Sequence, residues 1–252
     1  MPFTFSHPAI VMPLLALPKK WRSATGLIIG SMAPDFEKFI RMSEFDPNSH
    51  TWRSIFYFNL PLGLILAFIF HMLVRDPLIV HLPKILRERF SRFIGFDWKA
   101  YFKKHYPIVI FSLLLGTVSH LVWDSFTHPE GRGVRYFPFL MQHAFGGLLK
   151  MRLYSFLQKL GSVLGALALV YYIQQMRREK IFLVKGNQVK YWALFTITTL
   201  GIIGIRLCLE DSVRLENLYH FAILLISGGM TSFILVPRML KMWEAGKYES
   251  NV

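Results

Sequence analysis

The segment Gly116-Thr-Val-Ser-His120-Leu-Val-Trp-Asp124-Ser-Phe-Thr-His128 carries the sharpest chemical signal in the chain. His120, Asp124 and His128 are spaced i, i+4, i+8. On a helix they share one face, spread over about 80° at 3.6 residues per turn. Imidazole and carboxylate are ligands common to zinc and several other divalent ions. An HxxxD pair on one turn offers two of them from a rigid element. The bland alternative is a helix end whose His and Asp meet water and headgroups. Three further segments add weight. Phe3-Thr-Phe-Ser-His7-Pro-Ala sets His7 before a helix start, with Ser6 as N-cap and Pro8 in the first turn. Gly30-Ser-Met-Ala-Pro-Asp35-Phe-Glu37 ends a short apolar helix with a carboxylate, which can also cap the helix that follows. Pro47-Asn-Ser-His50-Thr-Trp puts a His directly before a long apolar run.

The elements that must position these residues are helices in a membrane. The chain is 53% hydrophobic and 17% charged, and the charges cluster between long neutral runs. Soluble domains carry about 25% charge. A spanning helix needs about 20 mostly apolar residues. The runs 54–74, 106–123, 160–176, 191–209 and 217–237 approach or meet that length, predicting about five transmembrane helices. The fourth holds Arg206 near its end, where it can snorkel. Gly228-Gly229 in the fifth allows close packing or a bend. The pieces 8–17 and 23–33 are too short to span and read as re-entrant or interfacial helices. The predicted fold class is therefore all-α, a polytopic membrane protein of one domain. Residues 1–53 form a cap, 54–237 the helices and 238–252 a tail.

Lys and Arg outnumber Asp and Glu by 29 to 15. In a soluble chain that excess points to nucleic acid; here it reads as basic loops against anionic lipid, with no nucleic-acid partner. Arg75, Lys84, Arg87, Arg89, Arg92, Lys99, Lys103 and Lys104 separate the first two runs, and Arg177, Arg178, Lys180, Lys185 and Lys190 the third and fourth. The lighter loops alternate with these, with Arg132, Arg135, Lys150 and Arg152 after the second run and Arg206 and Arg214 after the fourth. The heavier set, with the tail, is expected on the cytoplasmic side. The basic cap conflicts with that orientation. Residues 84–104 read as an amphipathic surface segment, with Ile85, Leu86, Phe90, Phe93 and Ile94 toward lipid. The lone cysteine, Cys208, excludes an intrachain disulfide. The first basic residue, Lys19, follows the first apolar stretch, which is not the order of a signal peptide.

Topology brings the chemical residues together whichever way the chain is oriented. The first run leaves the face where His50 lies, and the second returns to it with His120, Asp124 and His128. His7 and Asp35 flank the same face. A site with five or six N/O ligands can hold one or two metal ions. His71, His81, His105 and His220 read as packing or loop residues. His143, in the loop after the second run, is a candidate to approach the site. Arg132 and Arg135 can hold a phosphate or simply contact headgroups.

The Thr4-Phe-Ser-His7-Pro-Ala opening, the Gly30–Glu37 segment, Ser49-His50-Thr and Ser119-His120-Leu-Val-Trp-Asp124 resemble a bacterial membrane family of unknown function (domain-of-unknown-function family 4184). The order His, Pro-Asp, His, HxxxD is also similar to that of predicted membrane-bound metal-dependent hydrolases and, more distantly, of zinc-dependent phospholipases C. Those resemblances imply His7, Asp35, His50, His120 and Asp124, with His128 as a sixth, as ligands of a divalent metal, zinc foremost. The HxxxE segment of the phospholipases is missing. The leading expectation is a metal-dependent hydrolase of the bacterial cytoplasmic membrane, acting on a phosphoester or lipid-like substrate, with Asp35, Glu37 and Asp124 as catalytic carboxylates. A transporter or proton-coupled channel using the His/Asp face, and a non-catalytic assembly protein with a structural metal, are the alternatives.

Overall fold

The computed structural model describes residues 3–179, 187–209 and 218–249, with side chains to 242. Lys180, Lys185, Arg214 and the first residue of the run 217–237 lie outside the described residues. Among the described residues, five helices are long and apolar enough to cross a membrane: Ile55–His81, Trp98–Thr127, Leu153–Gln175, Gln188–Leu209 and Leu218–Met242. These are termed the first to fifth spans. The protein is an all-helical membrane protein, and the described residues pair extended backbone only at the isolated bridge between His143 and Arg152.

The spans run past the neutral runs that predicted them, and the surplus takes in charged residues. Lys99, Lys103 and Lys104 lie in the helix of the second span, which contains non-helical backbone at His105 just before Pro107. Proline lacks the N–H that a helix interior needs, so a break there is expected. The amphipathic segment is accordingly shorter than predicted, a helix over Lys84–Phe90. Arg75 is no loop cation either. It is buried in the first span, gripping Asp76 with two hydrogen bonds and the Phe96 carbonyl with a third. A neighbouring carboxylate makes a buried guanidinium tolerable.

The chain divides into two compact units. One comprises 1–37, 46–67 and 99–176. Within it the short helix Ala24–Met32 lies against the second span at backbone contact distance. A Cβ on Gly30 would come within 2.3 Å of the Leu113 carbonyl oxygen, and one on Gly116 within 2.5 Å of the Leu27 oxygen. Small residues at such crossings let helix backbones meet. Ser23 caps the short helix by accepting from Gly26 N–H, and its own N–H donates to Ser112 Oγ on the second span. The N-terminal helical segment Thr4–Ala16 is tied to the third span: Ser6 Oγ donates to the Ser162 carbonyl at 2.8 Å, and Phe3 N–H to Ser162 Oγ at 2.9 Å. Ser6 therefore does not cap the following turn. His7 occupies the N-cap position and Pro8 the first turn.

The other unit comprises 38–45, 68–98 and 177–252. Its fourth and fifth spans pair through a Thr199–Ser232 hydroxyl contact of 2.9 Å and the Phe195–Phe233 rings. A Cβ on Gly228 would lie 3.1 Å from the Thr199 oxygen, so this glycine serves close packing. His71 stacks on Trp98, and His81, at the end of the first span, stacks on Tyr191. His71 packs within its span as expected, whereas His81, read as a basic-loop residue, instead ends the helix and packs there.

Candidate metal centre

Four separate pieces of chain deliver the cluster. His7 comes from the N-terminal segment and Asp35 from the turn after Ala24–Met32. His50 comes from the loop before the first span, and His120 and Asp124 from consecutive turns of the second. Two overlapping groups result, His7–Asp35–His120 and His50–His120–Asp124, each with its donor atoms within 4.8 Å of one another. Asp124 Oδ2 lies 3.4 Å from His120 Nε2 and 3.7 Å from His50 Nε2, while its Oδ1 is 3.8 Å from His7 Nε2. Asp35 Oδ1 lies 3.5 Å from His50 Nε2 and 3.9 Å from His120 Nε2. Two donors about 2.1 Å from one tetrahedral centre stand about 3.4 Å apart, so these separations are close to those that donors to one common ion would have.

The surroundings decide which ring nitrogens face inward. His120 Nδ1 is 2.8 Å from the Ser31 carbonyl, which can only accept, so Nδ1 carries the proton and Nε2 presents its lone pair to the cluster. His50 Nδ1 is 2.6 Å from Asp46 Oδ2, an i, i+4 pair that sets the same tautomer. Ser49 Oγ also approaches that nitrogen, at 3.0 Å. A carboxylate behind a ligating imidazole fixes the ring and raises its basicity. Thr4 Oγ1 donates to Asp35 Oδ2 at 2.7 Å, leaving Oδ1 on the cluster side. The His7 and His120 rings stack with centroids 3.8 Å apart. Burial, reinforced by the neighbouring His120, lowers the His7 pKa to about 3, so its ring is neutral at physiological pH. Neutral imidazole is the form that binds metal.

Both ring nitrogens of His7, Nε2 of His120 and Oδ1 of Asp124 are buried without a hydrogen-bond partner among the described residues. Each such atom costs about 1–3 kcal/mol, and most buried polar groups in folded proteins are paired. Four lapses in one place point to a partner of another kind.

Two predicted site residues stand apart. His128 is half-exposed; its Nδ1 faces the Asp124 carbonyl at 3.1 Å and its Nε2 faces Gln158 Nε2 at 3.2 Å. It lies 3.7 Å from Asp124 Oδ2 but is in neither convergent group. Glu37 is buried and its oxygens accept from Asn48 N–H, Asn48 Nδ2 and Ser49 N–H. Burial pushes its carboxyl up, but these hydrogen bonds outweigh that and hold its pKa below the usual value. Its observed contacts hold the loop that carries His50. His143 sits at the isolated bridge with Arg152. Sequence reading missed Asp46, although its i, i+4 spacing to His50 repeats the His120–Asp124 pattern. The Ser31 carbonyl carries no sequence signal at all.

Two outcomes follow from this scaffold. Asp46→Ala is expected to weaken divalent-ion affinity about 10- to 100-fold, the usual effect of removing such a support. Asp46→Asn, which keeps an oxygen acceptor, should fall between; competitive titration against a chromophoric chelator reads both. Glu37→Ala strips three hydrogen bonds from the 48–49 turn and should lower stability by about 2–3 kcal/mol, read as the denaturation midpoint in detergent.

The domain of unknown function DUF4184 matches residues 1–237. The chain belongs to this family. The match takes in every residue of the cluster and all four pieces of chain that deliver it. No curated protein and no solved structure matches the chain.

Proposed function

We propose that this DUF4184 member is a metal-dependent hydrolase of the bacterial cytoplasmic membrane, acting on a phosphoester or lipid-like substrate. The observation that carries the reading is the convergence of three imidazoles and two carboxylates from four chain segments, with His7, His120 and Asp124 holding buried atoms that have no hydrogen-bond partner among the described residues. His7, His50 and His120 are the neutral ligands, Asp35 and Asp124 the anionic ones. This mixed nitrogen and oxygen set is one that zinc and several other divalent ions accept, and zinc is the ion proposed. A divalent ion held there supplies Lewis acidity, polarising a phosphoryl or acyl oxygen and acidifying water. Asp35 is fully buried and anchored by Thr4, so its part is to fix charge. Asp124 lies beside the partly exposed His50 and His128, and takes the proton released as water attacks. Asp46 holds the His50 ring in place throughout.

The test is turnover by the protein reconstituted in phospholipid vesicles, with and without chelator. A lipid phosphoester and a soluble aryl phosphate serve as substrates, and a His120→Ala variant as control. Metal-dependent release of product that His120→Ala abolishes supports the reading. Stoichiometric metal with no turnover of either ester replaces it with a structural metal site. Absence of metal after reconstitution defeats it, and ion flux through the His/Asp face becomes the next measurement.

A further inference from the structure

The segment joining the second and third spans presents an apolar surface that no part of its own unit covers. Tyr136 is 80% exposed and Leu148 84%, with Phe137, Phe139, Met141 and Phe145 also exposed. Contiguous exposed apolar surface of this kind marks a contact with lipid or with another protein. Its placement favours lipid. The segment is laid back on the span ends: Phe137 stacks on Phe126 near the end of the second span at 6.0 Å. Phe145 meets Phe156, in the first turn of the third, edge-on at 5.2 Å. Leu153 N–H donates to the Gln142 carbonyl. A loop pinned to two span ends lies at the bilayer surface.

Its charge agrees. Residues 128–152 hold Arg132, Arg135, Lys150 and Arg152 against the single acid Glu130. Aromatic side chains sit at headgroup level, and basic flanks add attraction to anionic lipid in whichever leaflet they face. Residues 143–152 form a closed finger, bridged between His143 and Arg152 and joined by Ala144 N–H to the Met151 carbonyl. At its tip Phe145, Gly146 and Gly147 take positive φ. For phenylalanine that conformation is strained, and here it turns the chain so that Phe145 and Leu148 stand out. At the segment's start, the Arg132 guanidinium lies 5.9 Å from the Trp52 ring centre, two residues from His50.

We propose that the 136–148 segment is a membrane-interface anchor. It inserts its aromatic tip among the headgroups of an anionic leaflet, on the face where the second span ends and the third begins. The inference rests on the loop alone and stands whether or not the cluster binds metal.

The experiment uses the full chain with Cys208→Ser and Leu148→Cys, labelled with an environment-sensitive fluorophore. The host vesicles are phosphatidylcholine with a minor share of phosphatidylglycerol. Blue-shifted emission, quenched by lipid bearing a nitroxide near the headgroup and little affected by iodide on both sides, is the expected result. Emission quenched by iodide but not by the lipid nitroxide places the tip in water and overturns the proposal. Protection from both quenchers means a protein surface covers the tip, and overturns it equally. Phe139→Cys repeats the reading should the first variant not purify as a single species. Arg132→Gln/Arg135→Gln is expected to reduce lipid quenching in these vesicles to the level seen in pure phosphatidylcholine. Equal quenching with and without the two arginines removes the anionic preference from the proposal.

Discussion

Replacing His120 by alanine is expected to empty the metal centre, taking metal content from about one ion per chain to close to none. The expected stoichiometry and the size of the loss have the same origin. Both convergent groups include His120, and its Nδ1 is committed to the Ser31 carbonyl. Only the Nε2 lone pair remains, and one lone pair serves one ion. On the proposed reading the two groups are two views of one five-donor site, and removing their shared member breaks both. His128→Ala is the informative contrast. His128 belongs to neither group and its Nε2 faces Gln158, so that variant should keep nearly all its metal. Elemental analysis of the detergent-purified proteins, with gel filtration to verify folding, reads all three chains. A folded His120→Ala protein with undiminished metal would place the ion elsewhere. Two ions per parent chain would mean that the His7 and His50 sides bind separately.

The spans and the order of the cluster were legible in the sequence for different reasons. Neutral runs report hydrophobic thickness directly, so five helices follow from composition, but helix ends do not. The helix of the second span begins at Trp98, eight residues before its neutral run, because charged side chains can ride on a helix that leaves the hydrocarbon. Arg75 shows the converse. Counted as a loop cation, it is buried within its helix because Asp76 stands beside it. The shared face of His120 and Asp124 on the second span was legible because i, i+4 spacing is a property of the helix itself. That His7 and Asp35 would meet it depends on tertiary contacts which residue spacing does not encode: Ser6 on Ser162, and Gly30 on Leu113. Glu37 reads in the sequence like any other acid near a site, and its hydrogen bonds to Asn48 and Ser49 are visible only in the structure.

Those tertiary contacts yield the largest expected effect on folding. Gly30→Ala adds one methyl group, yet its Cβ would sit 2.3 Å from the Leu113 carbonyl oxygen and 3.0 Å from the Leu113 Cα. Both neighbours are backbone, so no rotamer change relieves the clash, and the helix Ala24–Met32 must back away from the second span. Overpacking in a tight core costs about 1–3 kcal/mol, occasionally more; with backbone on both sides the upper end, about 3 kcal/mol, is expected. The chemistry should fail with the packing. Ser31 follows Gly30, and its carbonyl holds the His120 tautomer across 2.8 Å, so a retreat of the short helix frees the His120 ring and displaces Asp35. Gly116→Ala, which meets the Leu27 oxygen at 2.5 Å from the opposite side of the crossing, should reproduce both losses. Gly201→Ala and Gly204→Ala are the controls, since nothing lies within 4 Å of either added Cβ, and helix propensity then favours alanine by up to about 1 kcal/mol. Thermal denaturation in detergent, paired with metal analysis of whatever remains folded, separates the cases. If Gly30→Ala matched the parent in both stability and metal content, the close crossing would not be what assembles the centre, and His7, Asp35 and His120 would have to be held together by the third-span contacts alone.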